Sequence, residues 1–200
     1  MAKVRLKSPR ARLFVALDLP EDVRSGIAAW GREELNDPAL RPVPVEALHI
    51  TLAFLGYRPE KEIPRLAELV AASAAPAPQV ELRDPVAKPS LRQARLFALP
   101  ANSPATEALQ ADLQERLVAG RFYEPEKRPF WPHVTVARVG RESRGSKRPA
   151  RVSRPPDGLP QELLQPFSGV RVTLYRSELQ PQGAQYTPLA QVELPESGRR

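Results

Sequence analysis

The chain has 200 residues, 42% of them hydrophobic, which suits one well-packed domain or two small lobes that share a core. It contains no cysteine, and this excludes disulfides, thiolate nucleophiles and thiolate metal sites. No apolar run approaches the roughly 20 residues of a membrane span, and the net charge of +7 favours a polyanionic partner, so we expect a soluble cytoplasmic protein with no membrane contact.

The first part of the chain has the pattern of a strand, a helix and a second strand. The segment RLFVALDLP (12–20) is rich in β-branched and aromatic residues, which is typical of a strand. Pro20 then suits the first turn of a helix, and Val23, Ile27 and Trp30 have the spacing of one helix face. The chain reaches its second strand at LHITLAFLG (48–56).

The remainder of the chain alternates in the same way. A second helix is predicted over about residues 60–74, and extended segments follow at 79–88 and 94–100. A third helix, over about 104–118, carries leucines at four-residue steps and leads through a loop to the strand PHVTVARVG (132–140). Two closing strands are predicted at VRVTLYRSEL (170–179) and YTPLAQVEL (186–194).

These elements contain an internal repeat. RLFVAL, a helix and HITLAFLG match RLFALP, a helix and HVTVARVG, over about residues 12–56 and 95–140. Because each half is too small to bury its own apolar face, the two halves should pack together. The prediction is an α+β fold, a bilobal pseudo-twofold duplication in which two antiparallel sheets face a central cleft with helices on the outside. We expect one domain over 1–200, whose lobes exchange strands at the termini.

The excess positive charge is concentrated in RESRGSKRPARVSR (141–154), which has six basic residues and one acid. We interpret residues 141–158 as a basic loop inserted after the second half of the repeat. Its glycine, serine and proline content suggests mobility. Two interpretations stay open for this segment: a solvated flexible loop, or a surface that contacts nucleic-acid phosphates.

The only two histidines of the chain lie at matching positions of the repeat, each followed two residues later by a threonine. Residues two apart in a strand point to the same face, so each strand should present an imidazole, a hydroxyl and a small side chain together. A single histidine would more often be structural, but a matched pair indicates a site. The residues on the two faces are His49, Thr51 and Ala53, and His133, Thr135 and Ala137.

Two imidazoles suit a displacement in which one group loses a proton and another gains one, because histidine titrates near pH 6.5. Threonine hydroxyls and a guanidinium can hold the oxygens of a phosphate, so a cyclic phosphodiester on a ribose needs no metal here. A metal site would need a third ligand, and the nearest carboxylates, Glu46 and Glu142, lie outside the two strands. G-x-S-x-G, Walker A and G-x-G-x-x-G patterns are absent from the sequence.

The motifs HITL and HVTV resemble the paired H-x-T-x motifs of the two-histidine phosphoesterases, and most of all those of the RNA 2′,3′-cyclic phosphodiesterases, also named 2′-5′ RNA ligases, of bacteria and archaea. RLFVALDLP, ARLFALP, RPFWPHVTVAR, VTLYRSEL and GAQYTPL fall in the family's order, so the resemblance covers roughly residues 11–194. It implies hydrolysis of RNA 2′,3′-cyclic phosphate ends to 2′-phosphomonoesters without a cofactor. By reversal, a 5′-hydroxyl in place of water would give 2′-5′ ligation.

The resemblance also assigns roles that the near-symmetric halves leave open. It makes His49 the proton donor to the departing 3′-oxygen and His133 the proton acceptor from the attacking water. It makes Thr51 and Thr135 ligands of the phosphate oxygens, and Arg138 a phosphate-binding residue. Strict alternation puts Arg138 on the face opposite His133, so that last role requires a bulge or a strand end.

Other functions compatible with the sequence are a non-catalytic RNA or nucleotide-binding module, and a phosphodiesterase for another small cyclic nucleotide. The expected partner is RNA with 2′,3′-cyclic phosphate termini, tRNA fragments being one candidate, and we expect a monomer. Four aromatic residues near the motifs could stack on bases, but the commoner role is core packing. These residues are Phe14, Phe97, Phe130 and Trp131.

Overall fold

A computed structural model describes residues 9–73, 75–180 and 183–195, and it confirms an α+β protein built largely of antiparallel strands. The strands are β1 (Arg10–Asp18), β2 (Leu40–Pro42), β3 (His49–Pro59), β4 (Gln79–Leu82), β5 (Val86–Lys88), β6 (Leu96–Asn102), β7 (His133–Val139), β8 (Phe167–Ser168), β9 (Arg171–Gln180) and β10 (Gly183–Glu193). The helices are α1 (Glu21–Glu34), α2 (Ile63–Ala72) and α3 (Pro104–Ala119), at the three predicted places.

The strands are hydrogen-bonded in the order β10-β9-β1-β3-β7-β6-β4-β8, while β2 pairs with β7 and β5 pairs with β6. The two predicted sheets are therefore linked, and the link is narrow. β3 and β7 are joined by a single residue pair, Ile50 with Val134. This seam lies in the middle of the strand order, and both histidine strands meet there.

The helices pack on the apolar side of these strands. α3 starts where Ser103 caps it, accepting a hydrogen bond from the Thr106 amide at 3.0 Å, with Pro104 in its first turn. α2 contacts β9, β10 and α3. No helix within the described ranges is long and apolar enough to cross a membrane. The core shared by strands and helices contains Leu13, Val15, Leu17, Ile50, Leu52, Leu66, Val70, Leu113, Leu117, Val134 and Val136.

Strand β2 lies in what was expected to be a connecting loop. Its residues pair with β7 beyond the point where β3 leaves, Leu40 opposite Val139 and Pro42 opposite Ala137. β2 thus takes over from β3 along the same edge of β7, while β6 occupies the other edge. A strand this short and proline-containing is stable only as an edge element on a strand already in place.

The basic segment 141–154 follows a defined hydrogen-bonded path. Arg141 forms an isolated bridge with Pro149, and the Ala150 amide donates to the Gly140 carbonyl at 2.8 Å. Asp37, only 5% exposed, accepts from the amides of Ser153 and Arg154 at 2.7 and 2.8 Å. The Arg154 amide is the main cause that holds the pKa of the Asp37 carboxyl below its usual range. Both ends of the segment are therefore tied to the body of the protein.

Replacing Asp37 by alanine should loosen this attachment. Three backbone amides, those of Ala39, Ser153 and Arg154, would lose their acceptor, and a typical hydrogen bond contributes about 0.5–1.5 kcal/mol to stability. We expect a lower melting temperature and faster hydrogen exchange at the Ser153 and Arg154 amides. D37N keeps one acceptor oxygen and should show a smaller effect. Unchanged exchange in D37A would show that the carboxylate does not hold the segment.

Candidate active site

A cavity of about 540 Å³ lies over the seam between β3 and β7. All five side chains that the sequence singled out line it: His49, Thr51, His133, Thr135 and Arg138. Strands β1, β9 and β10 supply further walls. The structure therefore brings the two histidine strands, β3 and β7, to one place.

The seam itself explains this convergence. Ile50 and Val134 form the joining pair and are fully buried, so the residues on either side of them point to the opposite, cavity face. Because the two strands are antiparallel, the residue before Ile50 faces the residue after Val134, and the residue after Ile50 faces the residue before Val134. Each histidine is consequently set beside the threonine of the other strand. One residue pair thus positions two imidazoles and two hydroxyls.

A bulge follows the threonine in both strands. Ala16 of β1 pairs with Thr51 of β3, whereas the adjacent Val15 pairs with Ala53, so Leu52 is an extra residue without a partner in β1. Between the partners of Ala98 and Phe97 of β6, strand β7 likewise has an extra residue, Val136. A bulge of this kind changes which face the following residues occupy.

The bulges correct one prediction and satisfy the condition set on another. Ala53 and Ala137, predicted to lie beside the histidines, are buried core residues. The next residues, Phe54 and Arg138, are exposed and line the cavity. Strict alternation is wrong for this part of both strands, and the bulge is the reason that Arg138 shares the face of His133.

Backbone carbonyls orient both imidazoles. His133 Nδ1 lies 2.7 Å from the Trp131 carbonyl oxygen, and His49 hydrogen bonds the backbone of Ala47. Since a carbonyl can only accept, the ring nitrogen facing it carries the proton, and the other nitrogen is free to exchange protons. The Nε2 atom of His49 lies 3.1 Å from Thr51 Oγ1.

An aromatic cluster packs against His49. The Phe14 ring stacks on the imidazole at 5.0 Å, and the Tyr175 ring lies beside both, 5.2 Å from Phe14 and 6.2 Å from His49. Tyr186 meets His49 edge-on at 5.5 Å. These rings restrict the plane of the imidazole and exclude water from its faces.

Asp18, the residue paired with His49 across β1 and β3, holds this cluster from behind. The Tyr175 hydroxyl donates to Asp18 Oδ1 at 2.9 Å, and the Thr173 hydroxyl donates to Oδ2 at 2.8 Å. Burial raises the pKa of the Asp18 carboxyl, and burial together with the Asp18 charge raises the pKa of Tyr175 to about 12. Tyr175 therefore stays a hydrogen-bond donor at neutral pH.

His133 has a different aromatic neighbour. Trp131 stacks on its imidazole at 4.2 Å with an angle of 16° between the rings. Lys88 places its Nζ atom 4.3 Å from the centre of the Trp131 ring. Trp131 thus contacts His133 through both its carbonyl and its ring. Its ring also contacts the Lys88 ammonium group, which lies near the site.

The core role predicted for the four aromatic residues is correct for some of them only. Phe97 is 2% exposed and belongs to the core, and Phe130 packs against the core. Phe14, although 4% exposed, lies against His49. The register explains the difference, because Phe14 pairs with Phe54 while Leu96, not Phe97, pairs with Arg138.

Arg12 is a cavity residue that the sequence analysis missed. Its guanidinium lies over the Phe54 ring at 4.7 Å and its Nη1 is 3.4 Å from Ser177 Oγ. Phe54 occupies in β3 the place that Arg138 occupies in β7, so β1 supplies a cation where β3 does not. The spacing of Arg12 two residues before Phe14, on one strand face, was the available signal.

Burial lowers the pKa of both histidines. The pKa of His49 falls to about 4, with the charges of His133 and Arg138 adding to the effect of burial. The pKa of His133 is also lowered, by burial and then by Lys88. Both imidazoles are therefore neutral at pH 7 in the protein alone. Among the described residues, no three His, Cys, Asp or Glu side chains are grouped so that they could hold a metal ion.

Removing the charge of Lys88 should change the pKa of His133 and leave the pKa of His49 unchanged. In K88Q the pKa of His133 should rise toward 6.5, since the nearby cation no longer opposes its protonation, while the pKa of His49 stays at about 4. NMR titration of the two imidazole resonances measures both. K61Q, at an exposed lysine outside the cavity, is the control. Equal His133 values in K88Q and the wild type would contradict this account.

Comparisons with known proteins agree along most of the chain. A family model described as the 2′-5′ RNA ligase superfamily matches residues 19–176. The chain is 34% identical to an RNA 2′,3′-cyclic phosphodiesterase of Thermus thermophilus, over 92% of this chain and 90% of the relative. It is 31% identical to the RNA 2′,3′-cyclic phosphodiesterase of Escherichia coli, over 89% and 93%.

Solved structures give the same result for the fold. A protein of Thermus thermophilus matches with a TM-score of 0.74 and 31% identity, covering 94% of this chain and 100% of that one. Escherichia coli LigT in complex with NADP+ matches with a TM-score of 0.72 and 29% identity, with the same coverage. The chain belongs to the 2′-5′ RNA ligase superfamily.

Proposed function

We propose that this protein hydrolyses RNA 2′,3′-cyclic phosphate ends to 2′-phosphomonoesters by general acid–base catalysis without a metal. One observation carries the proposal: two imidazoles, each oriented by a backbone carbonyl, share a cavity with two threonines and an arginine. The relatives named RNA 2′,3′-cyclic phosphodiesterase support it. So do the complexes of Escherichia coli LigT with 3′-AMP and ATP, which indicate that a related protein takes nucleotides.

In the proposed reaction His133 accepts a proton from water as the water oxygen bonds to phosphorus. The bond between phosphorus and the 3′-oxygen breaks, and that oxygen takes a proton from His49. Thr51, Thr135 and Arg138 hold the remaining phosphate oxygens, on which negative charge accumulates. With an RNA 5′-hydroxyl in place of water, the same displacement of the 3′-oxygen would form a 2′-5′ phosphodiester, and the reverse step would cleave it.

The environments of the two histidines support this assignment of roles. His49 is the more deeply buried, with three aromatic rings close to it, so its imidazolium is the stronger acid. His133, whose main neighbour is Trp131, is the stronger base. A strong acid beside the leaving oxygen and a stronger base beside water match the two proton transfers.

His49 must be protonated before it can donate. With a pKa of about 4, protonating it at pH 7 costs roughly 4 kcal/mol. The anionic phosphate can supply this free energy, because it stabilises the imidazolium and neutralises Arg138, whose charge otherwise opposes protonation. Substrate binding and proton uptake by His49 are therefore coupled.

We also infer a single bilobal domain over 1–200, with a duplicated half at about 12–56 and 95–140 facing a common cleft. The identical order of β1-α1-β3 and β6-α3-β7, with a bulge after each threonine, supports the duplication. The pairing of β9 with β1 supports exchange of a terminal segment between the lobes, residues 141–158 being the insertion. We further propose a cytoplasmic monomer that acts on RNA ends, tRNA fragments among them.

The test is to incubate RNA that ends in a 2′,3′-cyclic phosphate with the protein and a chelator, and to identify the product. Only the 2′-phosphate should form. H49A and H133A should each lower kcat by about 10²–10⁴, the usual contribution of a general acid or base. R65Q, at an exposed site in the first turn of α2 and outside the cavity lining, serves as the control. A 3′-phosphate product, or full activity in either histidine variant, would rule out this mechanism.

The pH dependence of kcat/KM gives an independent test. This parameter reports the pKa values of the free protein, and both histidines have values below 6.5. The form with His49 protonated and His133 neutral therefore becomes rarer as pH rises. We expect a maximum below pH 6.5 and roughly a tenfold fall for each further pH unit. A plateau from about pH 6.5 to 8.5 would contradict the assignment.

A further inference from the structure

The six basic side chains of the segment 141–154 are all exposed, and none has an ion-pair partner among the described residues. Two exposed arginines elsewhere do have ion-pair partners, Arg65 with Glu68 and Arg83 with Glu81. Asp37 and the bridge at Arg141 hold the backbone of the segment to the protein. The segment is thus an attached surface of concentrated, uncompensated positive charge.

Arg41 connects this surface with the cavity. It pairs with Arg138 across β2 and β7, and Val43, two residues further on, lines the cavity. Arg41 therefore continues the cavity face outward. Its guanidinium reaches over the start of the basic segment, since Nε lies 3.6 Å from the place of a Cβ atom on Gly140.

The pairing of Arg41 with Arg138 is unfavourable unless an anion lies between or beside them. Like charges directly opposite each other destabilise a sheet, and neither arginine has a carboxylate partner in the part of the chain described. At about 3.3 Å per strand residue, the first basic residue of the segment lies roughly 10 Å beyond Arg138. Positively charged side chains thus extend from the cavity, at Arg138, past Arg41 to the basic segment that begins at Arg141.

Other routes out of the cavity lack such a continuous series of positively charged side chains. At the β9–β10 end Arg12 contacts Ser177, and the described lining residues beyond it carry no charge; these are Leu179, Gln180, Gly183 and Ala184. The neighbouring groove, which shares Thr51 and His133 with the cavity, has both Glu126 and Arg128 in its lining. Of these routes, the one past Arg41 is the one that attracts a polyanion.

We propose that Arg41 and the basic segment 141–154 bind the phosphates of single-stranded RNA on the 5′ side of the cyclic phosphate. This inference rests on the proposed function, which places the terminal phosphate at Arg138. The contacts are electrostatic and independent of sequence, as in other single-strand grooves. The protein should therefore favour an RNA oligomer over a mononucleotide with the same cyclic phosphate.

The experiment compares two double variants that each remove two charges. R144Q/K147Q alters the basic segment, and K61Q/R65Q removes exposed charges outside the cavity. Each is assayed on 2′,3′-cyclic AMP and on a single-stranded RNA oligomer ending in the cyclic phosphate, at about 50 and 200 mM salt. For single strands, each phosphate contact contributes about −0.7 to the slope of log affinity against log salt concentration, so losing two contacts makes the slope shallower by about 1.4. Between about 50 and 200 mM salt, kcat/KM of the wild type on the oligomer should therefore fall about sevenfold more than kcat/KM of R144Q/K147Q.

The outcomes separate this inference from the proposed function. Support requires that R144Q/K147Q lose efficiency on the oligomer, keep wild-type efficiency on 2′,3′-cyclic AMP, and have a weaker salt dependence on the oligomer than K61Q/R65Q. If the wild type hydrolyses both substrates and R144Q/K147Q keeps the wild-type salt dependence, the inference is wrong and the function stands. If R144Q/K147Q loses both substrates equally, the inference is also wrong. If the wild type hydrolyses neither substrate, the proposed function itself is refuted.

Discussion

The single residue pair that joins β3 to β7 is the constraint on which the site depends. Ile50 and Val134 are buried together, and their burial turns the neighbouring histidines and threonines toward the cavity. The strands diverge from this point, because β3 continues along β1 while β2 takes its place beside β7. The divergence opens the space above the pair, so the contact that closes the core also creates the cavity.

Burial of the imidazoles is the second determinant of the chemistry. Aromatic rings displace water from His49 and His133, and this is the main reason that neither is charged at neutral pH in the protein alone. A site of this kind holds its positive charge on arginines, which cannot lose it, and leaves the histidines to respond to the substrate. In the proposed mechanism, binding energy from the phosphate is converted into protonation of His49 at the time when the proton is needed.

The candidate site residues were the most predictable part of the molecule. His49, Thr51, His133 and Thr135 form a repeated pattern, and strand alternation was enough to place them on common faces. The three helices were also predicted, since their apolar spacing and the proline and serine signals at their starts are local properties. The family was recognisable from the same motifs.

What could not be predicted depends on partners distant in sequence. The bulges at Leu52 and Val136 depend on register against β1 and β6, so strict alternation misplaced Ala53 and Ala137. β2 has too few residues to be recognised without β7. The contact of buried Phe14 with His49 was not predicted, because matching Phe14 with Phe97 by letter is one residue out of the structural register. The attachment of the basic segment through Asp37 joins residues more than a hundred positions apart.

The bulge at Val136 makes the position of Arg138 depend on chain length as well as on residue type. Deleting one residue there would restore regular alternation and direct the guanidinium toward the apolar layer, although every functional side chain would still be present in the sequence. Insertions and deletions in these strands are therefore more disruptive than most substitutions. A homologue with intact histidine and threonine motifs but a different number of residues before the arginine would have a different arrangement of the proposed phosphate-binding side chains.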